Sequence, residues 1–592
     1  MKKLLVAYIL AFLLLASFPH SVLGGTNGFI VPPFRASPES HFAKWEVFTK
    51  AVGAPGNLPE MSVGAGQAVI TQVETNAILT GSGNIYNMVG ASEFLVENAT
   101  PFDMGTVVLQ TRTIGSELDY GSVLLTLTND SGVHVLPPLR RVELDRGSQP
   151  GLGANVASLW QWDLSGKRAT SYSIAFRAAG KSLSFDSLTL DTAKEFEALF
   201  ATTFRVNDTS PAIERWMYPH NAAPCDRPAG SVFGSFGAAS GVDTRHAQHL
   251  LGWNTGAFAP TNRGAVNYLL TRCRITLTIN RGNLFAYDPS LDSLQTYFET
   301  NHPGYVPDSD EGRPIELFGA AFRNGYDAAS FEQCAPFGGS GTGQRNAYAA
   351  GWSTQGMLVD VSNNVGKTNT AYAPFEVLPF AVGQTTNAHP GDLVPAGAQI
   401  TFDLNLNDPF VLAYLQQGLN SGLLRFMVTS LHETGGQFGA PSYPDFATHF
   451  NQAVSTPTRL EIEGLVVSRA DLDADEVPDD WELFHLNSLA FNGTADADED
   501  GISNLAESQA GTNPKEPASG LRISSVNRDA YGRVKIQVPH AANRSYIVEF
   551  TENFSAWSTL SNSPAFNLEA GMAIWTDERA DDGLRFYRVR AQ

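Results

Sequence analysis

Between Asp471 and Glu507 the chain carries twelve carboxylates and neither lysine nor arginine, more than half of its formal charge of −21. Such a stretch cannot collapse unaided, because its carboxylates repel one another and nothing within it neutralises them. It is either a solvated linker, as charge runs usually are, or a segment that folds around cations. The order of its residues points to cations. Two loops, DLDADEVPDDWE from Asp471 to Glu482 and DADEDGISNLAE from Asp496 to Glu507, repeat one spacing. Counted from the first aspartate, side-chain oxygens fall at positions 1, 3, 5 and 9 with a glutamate at 12, the set a seven-coordinate hard cation requires. The first loop supplies Asp471, Asp473, Asp475, Asp479 and Glu482; the second supplies Asp496, Asp498, Asp500, Asn504 and Glu507. Position 7 contributes its backbone carbonyl, from Val477 and Ile502. The ion these sets imply is Ca2+. Gly501 stands at position 6 of the second loop, where positive φ is cheap without a Cβ; Glu476 stands there in the first, which predicts a weaker or more strained first site.

Each loop leads into a short amphipathic piece, WELFHL and NLAESQA, the latter stopped by Gly511 as a C-cap. Leu483, Phe484 and Leu505 are expected to share a small core. On these residues the segment from about 471 to 517 resembles bacterial thrombospondin type 3 repeats and, more distantly, dockerins, with EF-hand-like calcium loops. The resemblance implies calcium-stiffened spacing between domains, with no catalytic role. A further domain follows the repeat, whereas dockerins usually stand at a chain end.

The first residues, MKKLLVAYILAFLLLASFPHSVLGG, combine two lysines, an apolar run from Leu4 to about Phe18 and small residues before a cut near Gly24, so 1–24 reads as a signal peptide. No later stretch is long and apolar enough to span a bilayer, and the expectation is a secreted or cell-surface protein without stable membrane insertion. A chain of 592 residues exceeds one core. Abundant glycine and proline, little lysine and no sustained helical periodicity suit a β-rich exported protein. The acidic balance argues against nucleic acid as a partner. Cys225, Cys273 and Cys334, an odd number, read as buried structural cysteines, either with one pair and a free thiol or unpaired, and no CxxC spacing suggests zinc or redox chemistry.

The fold expected is mainly β: two large antiparallel β-sandwiches of jelly-roll type, the calcium-binding loop-helix pair, and a small C-terminal β-sandwich. Domain limits are 25–194, 195–467, 468–517 and 518–592. In the first, TVVLQTRTI, SVLLTLTND, TSYSIAFRA and SLSFDSLTLDT read as strands with one buried face. Leu183 and Phe185 alternate out of step with Leu188 and Leu190, which predicts a bulge near Ser187. The closing strand and WQWDL resemble lectin-like modules of secreted environmental bacteria. KEFEALFATTF marks the boundary, as a short helix or a first strand. In the second, RITLTIN and AQITFDLNLND are strands, and NDPFVLAYLQQGLNSG is a helix capped by Asp408, with Pro409 in its first turn and an end at Gly418 or Gly422. In the last, VKIQVP, YIVEF and LRFYRVRA supply strands for a sandwich of fibronectin-like size. SYIVEFTENFSAW and RFYRV resemble C-terminal domains found after such calcium repeats.

Catalytic motifs are not found. His246 and His249 could share a metal on a helix, but the pattern favours a strand, where they face opposite sides. HETGG at 432–436 lacks the second histidine of a zinc-protease helix, and GGSGTG at 338–343 lacks the terminal lysine of a phosphate loop and the last glycine of a nucleophile elbow. Asp308, Asp310 and Glu311 form an acidic turn; solvation, or one extra calcium, is the better use than glycoside cleavage. Trp160, Trp162, Trp216, Trp253 and Trp352 could stack on sugars, although such aromatics are more often core. The reading is a secreted, multidomain calcium-binding protein, not an enzyme, with a binding, adhesion or surface-structural role in which calcium rigidifies a linker between sandwiches. Its expected partner is a polysaccharide or surface glycan, or another extracellular protein. The alternatives are a carbohydrate-active enzyme (a polysaccharide hydrolase active in 195–467) and a dockerin-like component of an extracellular assembly.

Overall fold

The computed structural model describes residues 28–592, apart from positions 36, 201–202, 220–224, 237–241, 299, 340, 363–364, 367–376, 433–441, 455, 457, 469, 568–570 and 579–583. Residues 1–24, expected to be a signal peptide, lie outside the described residues. The chain divides into two compact units. One holds residues up to 201 with Ser468–Ser508 and Asn513–Pro517; the other holds Thr202–Val467, Gln509–Thr512 and Ala518–Gln592. Both are built from antiparallel sheets. Three helices interrupt the strands among the described residues: α1 (Pro409–Ser421), α2 (Asp479–His485) and α3 (Asn504–Ala510). None of the helices among the described residues is long and apolar enough to cross a membrane.

In the first unit an eight-stranded sheet faces a five-stranded one. Between them lies a core that includes Trp45, Phe94, Leu109, Ile174 and Phe185. Trp160 and Trp162 belong to it and are fully buried, so these two are core and not a sugar platform. The register of Leu183–Ala193 against Thr106–Gly115 shifts between Phe185 and Ser187. That bulge resets the alternation, and Leu183, Phe185, Leu188 and Leu190 all enter the same core.

The expectation of strands with one buried face does not hold for the eight-stranded sheet. Thr106–Gly115 is buried along its first eight residues, with Val107 and Leu109 on the inner face and Val108 on the outer one. A second core covers that outer face, where Val108, Val142, Leu144, Ala157, Leu159 and Ala193 meet Phe29, Ile30, Phe34, Leu199 and Phe200. Leu483 and Leu489 of the acidic segment complete it, with Leu472 packed at its edge. Leu483 therefore packs on the sandwich and not in a private core with Phe484 and Leu505. Of KEFEALFATTF, residues 194–200 are neither helix nor strand, with Leu199 and Phe200 packed on this sheet, whereas Thr203 and Phe204 begin the strand Thr203–Asp208, the first of the second unit.

In the second unit six- and nine-stranded sheets enclose a core that includes Trp253, Tyr268, Ile275, Phe402 and Phe426. Strand Gln399–Asp403 belongs to the six-stranded sheet and Leu423–Ser430 to the nine-stranded one, so α1 carries the chain from one sheet to the other. Asp408 caps it by accepting from the N–H groups of Phe410 and Val411, and Gly422, at φ +76°, ends it. Cys225 and Cys334 form a disulfide, while the Cys273 thiol is buried and its pKa is raised by desolvation. The C-terminal part pairs a four-stranded and a three-stranded sheet around Ile536, Val548 and Trp575.

Candidate metal centre

The two acidic loops have one backbone. Asp471, at position 1, accepts from the N–H groups of Asp475 and Glu476, both at 3.0 Å. Asp496 does the same for Asp500 at 3.2 Å and Gly501 at 2.7 Å. Position 5 accepts from position 7 in both, Val477 to Asp475 at 2.9 Å and Ile502 to Asp500 at 2.8 Å. The N–H of position 9 donates to the residue before each loop, Asp479 to Ala470 and Asn504 to Ala495. Positive φ recurs at positions 4 and 6, at 64° and 76° for Ala474 and Glu476, and at 62° and 91° for Glu499 and Gly501. Side chains resist this left-handed region, so the first loop holds its turn at a conformational cost that Gly501 avoids in the second.

These turns gather the carboxylates. One oxygen each of Asp471, Asp473 and Asp479 lies within 4.8 Å of the others, as do those of Asp473, Asp475 and Glu482 and those of Asp496, Asp498 and Asp500. Asp479, Glu482, Asn504 and Glu507 are fully buried. Both oxygens of Glu482, Oδ2 of Asp479 and of Asp475, and Oδ1 of Asn504 have no hydrogen-bond partner. A buried carboxylate in that state is strongly unfavourable unless it binds a proton or a cation. Burial, followed by the facing Asp473, Asp475 and Asp479, pushes Glu482 up to about 10. Burial likewise pushes Asp479 up to about 8, against the hydrogen bond from Leu472. Val477 is fully buried and Ile502 half-buried. The donor set is all oxygen, and these clusters could hold metal ions.

Both loops are tied to their surroundings. Gly493, between them, sits where a Cβ would come within 2.5 Å of the Asp475 carbonyl oxygen, so the second loop closes tightly on the first. Leu489 N–H donates to the Glu143 carbonyl at 2.9 Å, stitching the segment to the eight-stranded sheet. Ser468 donates to Asp480, which the liganding pattern leaves out, through its N–H at 2.8 Å and its hydroxyl at 2.5 Å.

The other candidates separate. His246 and His249 lie on the strand Val242–Asn254. His249 is buried 3.6 Å from Glu214, whereas the His246 ring packs at Tyr218 and Phe233. Trp253 is core, and Trp352 packs against that core. Trp216 stacks on Tyr218 at 4.8 Å. In HETGG only His432 falls among the described residues. Of the acidic turn, Asp308 pairs with Arg313, and Asp310 joins Asp288 and Asp292 in a further carboxylate group. The sequence reading missed those two partners because they lie about twenty residues away in a loop without a ligand pattern. The outer face of the five-stranded sheet carries a groove of about 590 Å3 whose lining mixes polar residues, among them Glu97, Thr126 and Ser173, with apolar ones, among them Pro55, Leu58 and Val69.

No family model and no curated protein matches this chain. Among solved structures, one described as "Biofilm associated protein - BSP domain" is similar over 88% of this chain and 80% of its own, at 9% identity and a TM-score of 0.17. A likeness that slight carries no argument about function.

Proposed function

We propose that this chain is an exported, modular binding protein of the cell surface or extracellular space, and that calcium folds its acidic repeat. One ion is held by Asp471, Asp473, Asp475, Asp479, Glu482 and the Val477 carbonyl; the other by Asp496, Asp498, Asp500, Asn504, Glu507 and the Ile502 carbonyl. The observation that carries this reading is Glu482, a fully buried carboxylate with no hydrogen-bond partner, at position 12 of a loop whose backbone is duplicated in the second. Oxygen-only donors at this spacing suit calcium better than magnesium, which keeps several waters, or zinc, which takes nitrogen and sulfur. The resemblance to thrombospondin type 3 repeats and the leader-like first residues support the same reading. Because the segment is part of the first unit, calcium acts there by holding α2 and Leu489 on the sheet they cover. The experiment is calorimetric calcium titration of the full chain beside a Glu482→Gln/Glu507→Gln variant. Tight binding lost in the variant supports the proposal; identical isotherms refute it.

For the binding role we propose the groove on the five-stranded sheet. Its short hydroxyl and amide side chains beside Glu97 suit the hydroxyls of a polysaccharide or surface glycan. Retardation of the chain in polysaccharide-containing gels, abolished by bulky substitution at Ser173, tests it. Release of reducing ends from the same polysaccharides would instead favour a carbohydrate-active enzyme.

A further inference from the structure

The long connection between strands Tyr268–Ile279 and Ile315–Phe322 of the second unit folds back on itself. Gly312, at φ +117°, lies so close to the 286–288 backbone that a Cβ would stand 3.0 Å from the Ala286 carbonyl oxygen and from Asp288 Cβ. Glycine at 312 therefore lets Asp310 approach Asp288. One oxygen each of Asp288, Asp292 and Asp310 lies within 4.8 Å of the other two.

The charges in this group are not matched. Arg313 Nη1 lies 2.7 Å from both Asp292 Oδ2 and Asp308 Oδ2, and one guanidinium offsets one charge. Tyr297 also donates to Asp292 Oδ2, at 3.0 Å. Ser290 Oγ lies 2.7 Å from Asp288 Oδ1 and 3.0 Å from Asp310 Oδ2, but a hydroxyl has a single hydrogen and serves only one of them. Asp288 is 3% exposed, and its Oδ2 has no hydrogen-bond partner. An ionised carboxylate so buried calls for a counter-charge at its bare oxygen.

We propose that Asp288, Asp292 and Asp310 hold a further divalent cation, calcium, in the second unit. The site is independent of the acidic loops. A cation there bridges the 286–292 and 310–313 stretches and removes the competition for the Ser290 hydrogen. Three carboxylates supply the hard oxygen ligands that an ion of flexible coordination takes.

The test uses the full chain carrying Glu482→Gln/Glu507→Gln, so that the loops no longer report. Terbium serves as the calcium probe. Tyr297, whose hydroxyl touches a liganding carboxylate, sensitises its emission. The expected result is tyrosine-excited emission that calcium displaces at lower concentration than magnesium, weakened about tenfold or more by a further Asp310→Asn and lost with Asp288→Asn. Asp310 is exposed, so its variant remains informative should the buried Asp288→Asn chain fail to fold. Emission absent from the loop variant, unchanged by Asp310→Asn in a chain of native circular dichroism, or displaced equally by magnesium would overturn the proposal. Failure of the loops to bind leaves this result untouched.

Discussion

Chelating divalent cations from the full chain is expected to invert the pH dependence of the acidic segment. Glu482 is fully buried with both oxygens unpartnered, and burial first, then the facing aspartates, lift it from 4.5 to about 10. In the unfolded segment the same group ionises near its ordinary value. Below that value the two states bind the proton equally and the burial costs nothing in pH terms. From there to about 10 only the folded form keeps the proton, so its stability falls as pH rises. One proton is worth about 1.4 kcal/mol per pH unit, which makes about 3 kcal/mol between pH 5 and pH 7, or roughly a hundredfold in local opening. Asp479, lifted to about 8 and facing many of the same carboxylates, adds to this by less than its separate shift. Bound calcium takes the place of these protons, and stability then rises with pH because proton release favours the ion. Hydrogen exchange of the Val477–Leu483 amides, corrected for intrinsic rate and read from pH 5 to 8 with chelator or millimolar calcium, gives the answer. Equal protection in the two conditions, or protection that grows with pH in chelator, would refute the reasoning.

Three further outcomes follow from the geometry. Glu476→Gly relieves a side chain held at φ +76°, and calorimetry should show first-site affinity rising by about 1 kcal/mol; unchanged affinity would mean that the turn is not strained. Leu483→Ala should weaken docking of α2 on the eight-stranded sheet by about 2–5 kcal/mol, seen as faster proteolysis within 471–507 while two calcium ions still bind. Asp191→Asn removes the partner of Arg35, 2.6 Å away with both side chains at most 2% exposed, and should cost about 3–5 kcal/mol in urea denaturation; a loss below 1 kcal/mol would contradict the buried pairing.

What the residues alone dictated is local. Alternating apolar positions separated by turns specify strands, and a bulge at Ser187 follows from apolar residues falling out of step over a few positions. The helix at Pro409–Ser421 is written in Asp408, Pro409 and Gly422, each of which acts within four residues of itself. The loops belong to the same class, since the turn that gathers their carboxylates is closed by hydrogen bonds that Asp471 and Asp496 accept from backbone N–H groups four and five residues on. Tertiary structure decided what covers what. In Thr106–Gly115 the polar Gln110 and Arg112 share a face with Val108 and make that face look exposed, yet the outer face of the eight-stranded sheet is buried, because Phe29, Ile30, Phe34, Leu199 and Phe200 lie over it and Leu483 and Leu489 arrive from far downstream to complete the cover. Asp310 showed only an acidic turn until Gly312 allowed it to approach Asp288 and Asp292. Short-range periodicity encodes the conformation of a segment, whereas the choice of covering partner depends on complementary surfaces far apart in the chain, and no window of sequence contains both.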